Sequence, residues 1–509
     1  MTDTDGANAP VAFGCDVVIV GCGVAGLYAA LNLPVDTQVV MLSKGALEEC
    51  DSMLAQGGIC VLPEAGDYDA FVADTLRAGH GENRRESVDI MVRSSRSVIN
   101  DLLALGVAFE REEDGSLAFT REGAHSRPRI AYHADITGQE ITTRLLEAVR
   151  QLPNVRILEH VAMTDLMVDP TGACCGVEAL RVPEERSTCT VEELRALAAA
   201  RAVSDAREVG FGTVSDGFGT RAEVRGGAEP ERGATAAPDT AAADESIAAA
   251  PLAPFAIRAH NVLLATGGIG GVYEHSTNYP QLTGDACLLA HEYDIAQENL
   301  DYVQIHPTGL YSSEPGRTFL ISESCRGEGA VLLNAARERF TDELQPRDVV
   351  ARAIQDQMRA DGAEFEWLSF APVPRGTVLD HFANIRAHCL ECGRDILDEP
   401  IPVVPTQHYF MGGVRVDRDS ATSMPHLYAA GEASCNGVHG RNRLASNSLL
   451  EALVFARRAA WCMATGASLP VEPVDTPPLD GRHRRLGEQE LGIDTLTSAQ
   501  GSANGEEAA

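Results

Sequence analysis

Residues Asp16 to Leu33, DVVIVGCGVAGLYAALNL, constrain this chain more than any other stretch, because an apolar run of β character stops at glycine and resumes as a helix. The spacing Gly21-x-Gly23-x-x-Gly26 permits a tight turn, a close backbone approach to a pyrophosphate and close packing of helix on strand. The helix behind it offers unpaired N–H groups to phosphate. A glycine-rich turn in another α/β unit would share these letters, but here strand and helix flank the glycines as a dinucleotide site requires. The usual acidic residue at the end of the second strand is missing, since Val39-Val40-Met41-Leu42 runs into Ser43 and Lys44. That argues against a plain NAD site and leaves FAD open, with Ser43 and Lys44 serving ribose or phosphate.

At 509 residues, 44% of them hydrophobic, the chain can bury a core large enough for two domains plus appendages. A net charge of −33 argues against nucleic acid and anionic membrane surfaces, so any basic pocket must be local. The opening MTDTDGANAP has no basic leader and no apolar run reaches membrane-spanning length, so a cytoplasmic protein without a membrane span is expected. Thirteen cysteines, an odd number scattered along the chain, fit reduced thiols. Cys389-x-x-Cys392 and Cys174-Cys175 lack further ligands at regular spacing, so no metal is expected.

The loop that follows Lys44 carries Ser52, Gln56, Gly57 and Gly58, small or amide-bearing residues suited to wrapping a cofactor. Tyr68 to Gly106 reads as helical, with Val88, Met91, Val92, Val98, Leu102 and Leu103 near a 3.6-residue period. A helix over Thr137 to Leu152 would be capped by Asp135 or Thr137, and strands are expected at Val155–Glu159 and Thr164–Val168. From spacing alone, Glu122 to Arg129 reads as a solvated charged loop. Residues 182–254 are rich in Ala, Gly, Glu, Asp, Thr and Pro and are expected to be mostly disordered, with a short helix at Val191 to Val203. His260 to Gly268 reads as a buried parallel strand ending on glycine, and Leu427 to Glu432 as another, so one sheet built from both ends of the chain should converge on one ligand.

Five further blocks follow in order: Gln304-Ile-His-Pro-Thr-Gly309, Ser322-Glu-Ser-Cys-Arg-Gly-Glu-Gly-Ala330, Pro346-Arg-Asp-Val-Val-Ala-Arg352, His408-Tyr-Phe-Met-Gly-Gly413 and His439-Gly-Arg-Asn-Arg-Leu-Ala-Ser-Asn-Ser-Leu-Leu450. With the N-terminal glycines they resemble the flavoprotein family of succinate dehydrogenase, fumarate reductase and L-aspartate oxidase, from about Asp16 to Ala460 apart from the Ala-rich insert. The resemblance implies an α/β fold: a Rossmann-like FAD-binding domain over 14–299 and 409–467 with an inserted α+β capping domain over 300–408. Residues 468–509 read as a disordered acidic tail, and the helical bundle that aspartate oxidases carry there is expected to be largely absent.

By resemblance, FAD would lie across Gly21, Cys22, Gly23, Val24, Ala25, Gly26, Ser43, Lys44, Asp51, Ser52, Ala55, Gln56, Gly57, Gly58, Asp285, Glu432, Ser448 and Leu449. His306, Ser322, Glu323, His408 and Arg443 would surround a four-carbon dicarboxylate, and Arg347 would be the proton-transfer residue. A guanidinium suits one carboxylate through paired N–H bonds, and imidazoles with hydroxyl help suit the other. The very high pKa of arginine sits uneasily with acid–base work, so Arg347 could instead only hold charge, with Asp348 as its ion-pair partner. Where covalent members carry histidine this chain has Asp51, so FAD should be bound non-covalently. Glu122, in Arg121-Glu122-Gly123-Ala124-His125-Ser126, matches a glutamate that faces the substrate amine in aspartate oxidases, which tips the expected substrate to L-aspartate. The implied product, iminosuccinate, would feed quinolinate synthesis for NAD, with functional coupling to quinolinate synthase and oxygen or fumarate as acceptor. A fumarate reductase or succinate dehydrogenase flavoprotein is the alternative.

Overall fold

The computed structural model describes residues 11–209, 251–314, 316–474 and 479. Its centre is the strand Val11–Val20, whose β-branched run Val17 to Val20 is buried on both faces. Such a strand needs neighbours on each side and layers above and below. It pairs in parallel with Val39–Ser43 on one edge and with Pro254–Leu264 on the other. The sheet continues outward from Val39–Ser43 to Val155–Glu159, also parallel. Beyond Pro254–Leu264 it turns antiparallel, through Cys174–Arg181 to Val161–Val168. Leu427–Ala429 adds in parallel to the C-terminal end of Pro254–Leu264. That strand is therefore longer than expected at its start and mixed in its pairing: parallel to two neighbours, antiparallel to a third.

The helix Val24–Asn32 buries every one of its residues, packed between the sheet and the helices Thr137–Val149 and Asn447–Thr465. A helix apolar all round can only be an interior one. The stretch Tyr68 to Gly106, expected to be helical, forms two helices, Tyr68–Ala78 and Arg85–Ala104. The residues after Asn299 build a separate four-stranded antiparallel sheet, ordered Val303–Leu310, Ile401–Phe410, Glu366–Ser369, Val331–Leu333. It has its own core, including Leu310, Ile321, Leu332, Leu368 and Val403.

Three local expectations are corrected. The helix Thr137–Val149 has Ile136 at its cap and no side-chain cap, because Thr137 Oγ1 accepts from His133 N at 2.9 Å and Asp135 accepts from Asn384 Nδ2 at 2.5 Å. The helix expected at Val191 to Val203 is longer, running over Val191–Val209; it is opened by a reciprocal Thr190–Glu193 capping box and seated by Leu194 and Ala198 on Ala162, Leu180 and Val182. Arg195 ties it to Glu292 at 2.8 Å. Of the stretch 182–254, residues 210–250 lie outside the described residues. The start of the acidic tail is also fixed, with Leu469 buried and Glu472 accepting from Arg457 at 2.6 Å and Ser97 at 2.7 Å. The tail beyond it, apart from residue 479, lies outside the described residues from 475 on. Among the described residues no helix is long and apolar enough to cross a membrane.

Glu366 is fully buried in the second sheet with neither carboxylate oxygen hydrogen-bonded among the described residues, and burial, with Asp361 adding, raises its pKa from 4.5 to about 7. A raised carboxyl pKa gives stability that is complete below the unfolded value and is lost as pH rises through the folded one. Thermal unfolding should therefore show Glu366→Met melting about 3–6 °C above the parent at pH 8, with the gap closing towards pH 4.5.

Candidate active site

A cavity of about 850 Å³ runs from the glycine turn to the second sheet. At its inner end Gly21 adopts φ +115°, and a Cβ there would collide with Ala265 O. Only glycine lets the turn sit this close to the neighbouring strand. Gly26 does not line the cavity; a Cβ on it would strike Gly21 O, so it serves helix-to-strand packing. The remaining residues expected to hold the cofactor all line this space. Ser52 Oγ accepts from Val24 N at 3.2 Å, which folds the Asp51–Gly58 loop back onto the helix start. Lys44 is not free for a ligand phosphate in the way expected: its ammonium is held by Asp285 at 3.0 Å and Thr283 at 2.8 Å.

Asp51 accepts from Tyr279 N at 2.9 Å and from the Asn278 amide, and burial lifts it to about 7. Burial, and then Asp51, lift Glu432 to about 8. Neither group brings an obligatory charge to a neutral ring system. Gln56 Oε1 and Thr266 Oγ1 are buried in the wall with no partner among the described residues. The helix Asn447–Thr465 starts at the cavity without a side-chain cap; Asn447 N donates to Leu444 O at 3.3 Å, and the Ser448 and Leu449 N–H groups behind it face the ligand space. A close-approach glycine, orphaned polar atoms and a helix start without a side-chain cap fit a dinucleotide with a planar head.

The outer end is built on the strands of the second sheet and the segment before the last helix. Alternation places Gln304 and His306 on one face of Val303–Leu310. Gln304 Oε1 accepts from Arg347 Nη1 at 3.0 Å and from Arg443 Nη2 at 3.1 Å, joining two cations from distant parts of the chain. Arg347 Nε donates to Glu323 at 2.5 Å, so its ion partner is Glu323, not the adjacent Asp348. Arg443 also donates to Ser448 Oγ at 3.0 Å and stacks over the Tyr409 ring at 4.7 Å. Burial, then Arg347, pulls Arg443 down to about 10. Burial raises Glu323, but the Arg347 and Arg326 charges outweigh it and hold the carboxylate below its usual range. His306 and His408 stand 5.4 Å apart, ring centre to ring centre, and burial followed by the nearby guanidiniums keeps both well below 6.5. Ser322 Oγ lines the cavity while capping the helix Glu323–Gly327.

Glu122 to Arg129 is a solvated loop only in part: Gly123, Ala124 and Ser126 to Pro128 are exposed, whereas His125 and Arg129 are buried. Arg129 is fully buried and bonded to Asp67 at 2.8 Å, Asp74 at 2.6 Å and His125 Nδ1 at 2.9 Å. This anchor, with the short pairing of Ile59–Cys60 on Ile130–Ala131, brings Glu122 against Gly57. Its carboxylate accepts from Ser446 Oγ at 2.7 Å, and burial raises its pKa. Sequence reasoning missed Thr277, Arg326 and Ser446 as cavity groups, and Gln304 as the residue that joins Arg347 to Arg443. Gln304 could have been found from its position two residues before His306, on the same strand face.

The fold and the cavity define an FAD-dependent oxidoreductase of the succinate dehydrogenase and fumarate reductase flavoprotein class. The FAD binding domain family matches residues 16–250 and 232–449. Escherichia coli quinol fumarate reductase superposes with a TM-score of 0.70 at 26% identity, covering 90% of this chain and 72% of that one. Mycobacterium smegmatis Sdh1 gives 0.65 at 26%, covering 94% and 72%. L-aspartate oxidase of Clostridium perfringens is 42% identical over 446 residues, 87% of this chain and 85% of the relative. That of Neisseria meningitidis is 38% identical, covering 91% and 80%. The chain belongs to the L-aspartate oxidase family.

Because a Cβ at position 21 would enter the Ala265 carbonyl and φ +115° is strained for any other residue, Gly21→Ala should purify with at least about tenfold less flavin per chain. Absorbance of the purified protein reads this directly.

Proposed function

We infer that this protein catalyses the FAD-dependent oxidation of L-aspartate to iminosuccinate, with oxygen or fumarate as electron acceptor, as the first step of NAD biosynthesis through quinolinate. The observation that carries the reading is the convergence of Arg443, Arg347, His306, His408 and Glu122 on one buried cavity. When bound along the glycine turn, FAD supplies a two-electron acceptor for hydride from the substrate α-carbon. With Asp51 at the position of the covalent histidine, no imidazole is present there to bond it.

Each residue then has a task its chemistry suits. Arg443 grips one carboxylate through parallel N–H donors, pre-oriented by Gln304 and Ser448. His306 and His408 donate to the other, with the Ser322 hydroxyl beside them. Glu122 holds the substrate ammonium. Its raised pKa also suits it to take the proton that leaves nitrogen as the imine forms. Arg347, braced by Glu323 and Gln304, is placed to hand a proton to fumarate when fumarate is the acceptor. A buried site strengthens each contact and shields the imine from water. The product is a substrate for quinolinate formation, which couples this enzyme to quinolinate synthase. All thirteen cysteines are unpaired, which supports a cytoplasmic setting.

Replacing Glu122 by Gln removes the charge that favours an ammonium and lessens repulsion of a second carboxylate. Glu122→Gln should lose about 100-fold in kcat/KM for L-aspartate while changing fumarate reduction less than about threefold. Equal losses on both substrates, or a parent protein that reduces fumarate but yields no iminosuccinate or peroxide from aspartate, would contradict the assignment. Acid precipitation should release all yellow flavin to the supernatant; flavin retained in the pellet would show a covalent link.

A further inference from the structure

His306 and His408 face the cavity from paired antiparallel strands, and each commits one ring nitrogen to the protein. At His306 the commitment has one sense. The Thr308 N–H donates to Nδ1 at 3.2 Å, so Nδ1 is bare and the ring proton sits on Nε2. That Nε2 is buried and has no partner among the described residues.

At His408 the partner is a hydroxyl, Thr277 Oγ1, 2.8 Å from Nδ1. A hydroxyl can give or take a hydrogen bond, so its surroundings decide. The other acceptor in reach is Gln407 O at 3.3 Å, and that carbonyl already accepts from Thr277 N at 2.9 Å. The ring nitrogen is thus the nearer of the two acceptors. We propose that Thr277 is the positioning residue for His408: its hydroxyl donates to Nδ1, fixes the Nε2–H tautomer, and makes both cavity histidines neutral N–H donors to one substrate carboxylate.

The segment is built to hold that geometry. Thr277 is buried, Gln407 N donates to His275 O at 2.8 Å, and Ser276 Oγ bonds Gln407 Oε1 at 2.6 Å. The hydroxyl therefore travels with the strand that carries His408. A neutral imidazole of the other tautomer would turn an Nε2 lone pair towards a carboxylate oxygen and repel it. Removing the hydroxyl frees the ring to adopt that form.

The proposal rests on the dicarboxylate reading above, and the test separates the two. In holoenzyme labelled with ¹⁵N-histidine and saturated with succinate, His408 should show a bare Nδ1 and a protonated Nε2. Thr277→Val should raise the succinate Kd, read from the flavin absorbance change, and the KM for L-aspartate about tenfold, with kcat within about threefold. Thr277→Ser should restore both to within about twofold of the parent. A protonated Nδ1 in the parent, an unchanged KM in Thr277→Val, or a serine variant as impaired as the valine variant would overturn it. Should Thr277→Val lose its flavin, the spectrum of the parent still decides. Succinate binding with an Nε2–H His408, but no aspartate turnover, would sink the substrate reading and leave the role of Thr277 standing.

Discussion

Two guanidinium groups share one amide oxygen at the mouth of this cavity. Gln304 holds Arg347 and Arg443 at 3.0 and 3.1 Å, where water is scarce and like charges repel strongly. The arrangement persists because Glu323 answers Arg347 directly and Glu122 lies nearby, and an anionic ligand completes it. One cation comes from the inserted segment and the other from the segment just before the last helix. Whatever anion binds between them draws the two halves of the molecule onto the same point.

Around that pair, the remaining groups are kept from adding charge. Both histidines are held neutral by burial and by the arginines themselves, so they can donate hydrogen bonds without deepening the positive field. Glu122 is the counterweight. It stands between two non-glycine residues in left-handed conformations, Ala124 at φ 65° and Ser446 at φ 61°. Backbone strain of this kind persists only where the surroundings over-determine it. Here the buried Arg129 cluster and the final helix supply that constraint.

How much of this could be read beforehand follows from range. The glycine turn is local, and its strand, turn and helix lie within about twenty letters, so both the fold type and the cofactor cradle were legible. The helix that follows the Thr190–Glu193 box is local too and was legible from Val191, but the Ala-rich composition hid how far it runs. The burial of Arg129 at the end of an otherwise exposed loop was not legible, because the partners that neutralise it are Asp67 and Asp74, in a distant part of the chain. Nothing in the spacing of a charged loop reveals a distant acid. Glu472 was hidden for the same reason, since Arg457 and Ser97 accept an acidic tail residue into the core. Gln304 lies in the same block as His306, two residues earlier, but carries no charge that would mark it.

The central strand joins residue 20 to residue 264, and the cradle around Gly21 is closed by Ala265, Glu432 and Ser448. A nascent chain leaving the ribosome therefore carries its glycine turn long before the walls that make it useful exist. The inserted sheet pairs strands drawn from fewer than about 110 consecutive residues and can settle during that wait. Flavin capture must come late, when nearly the whole polypeptide has been made, and the empty α/β half is the species a cell has to keep from aggregating in the meantime.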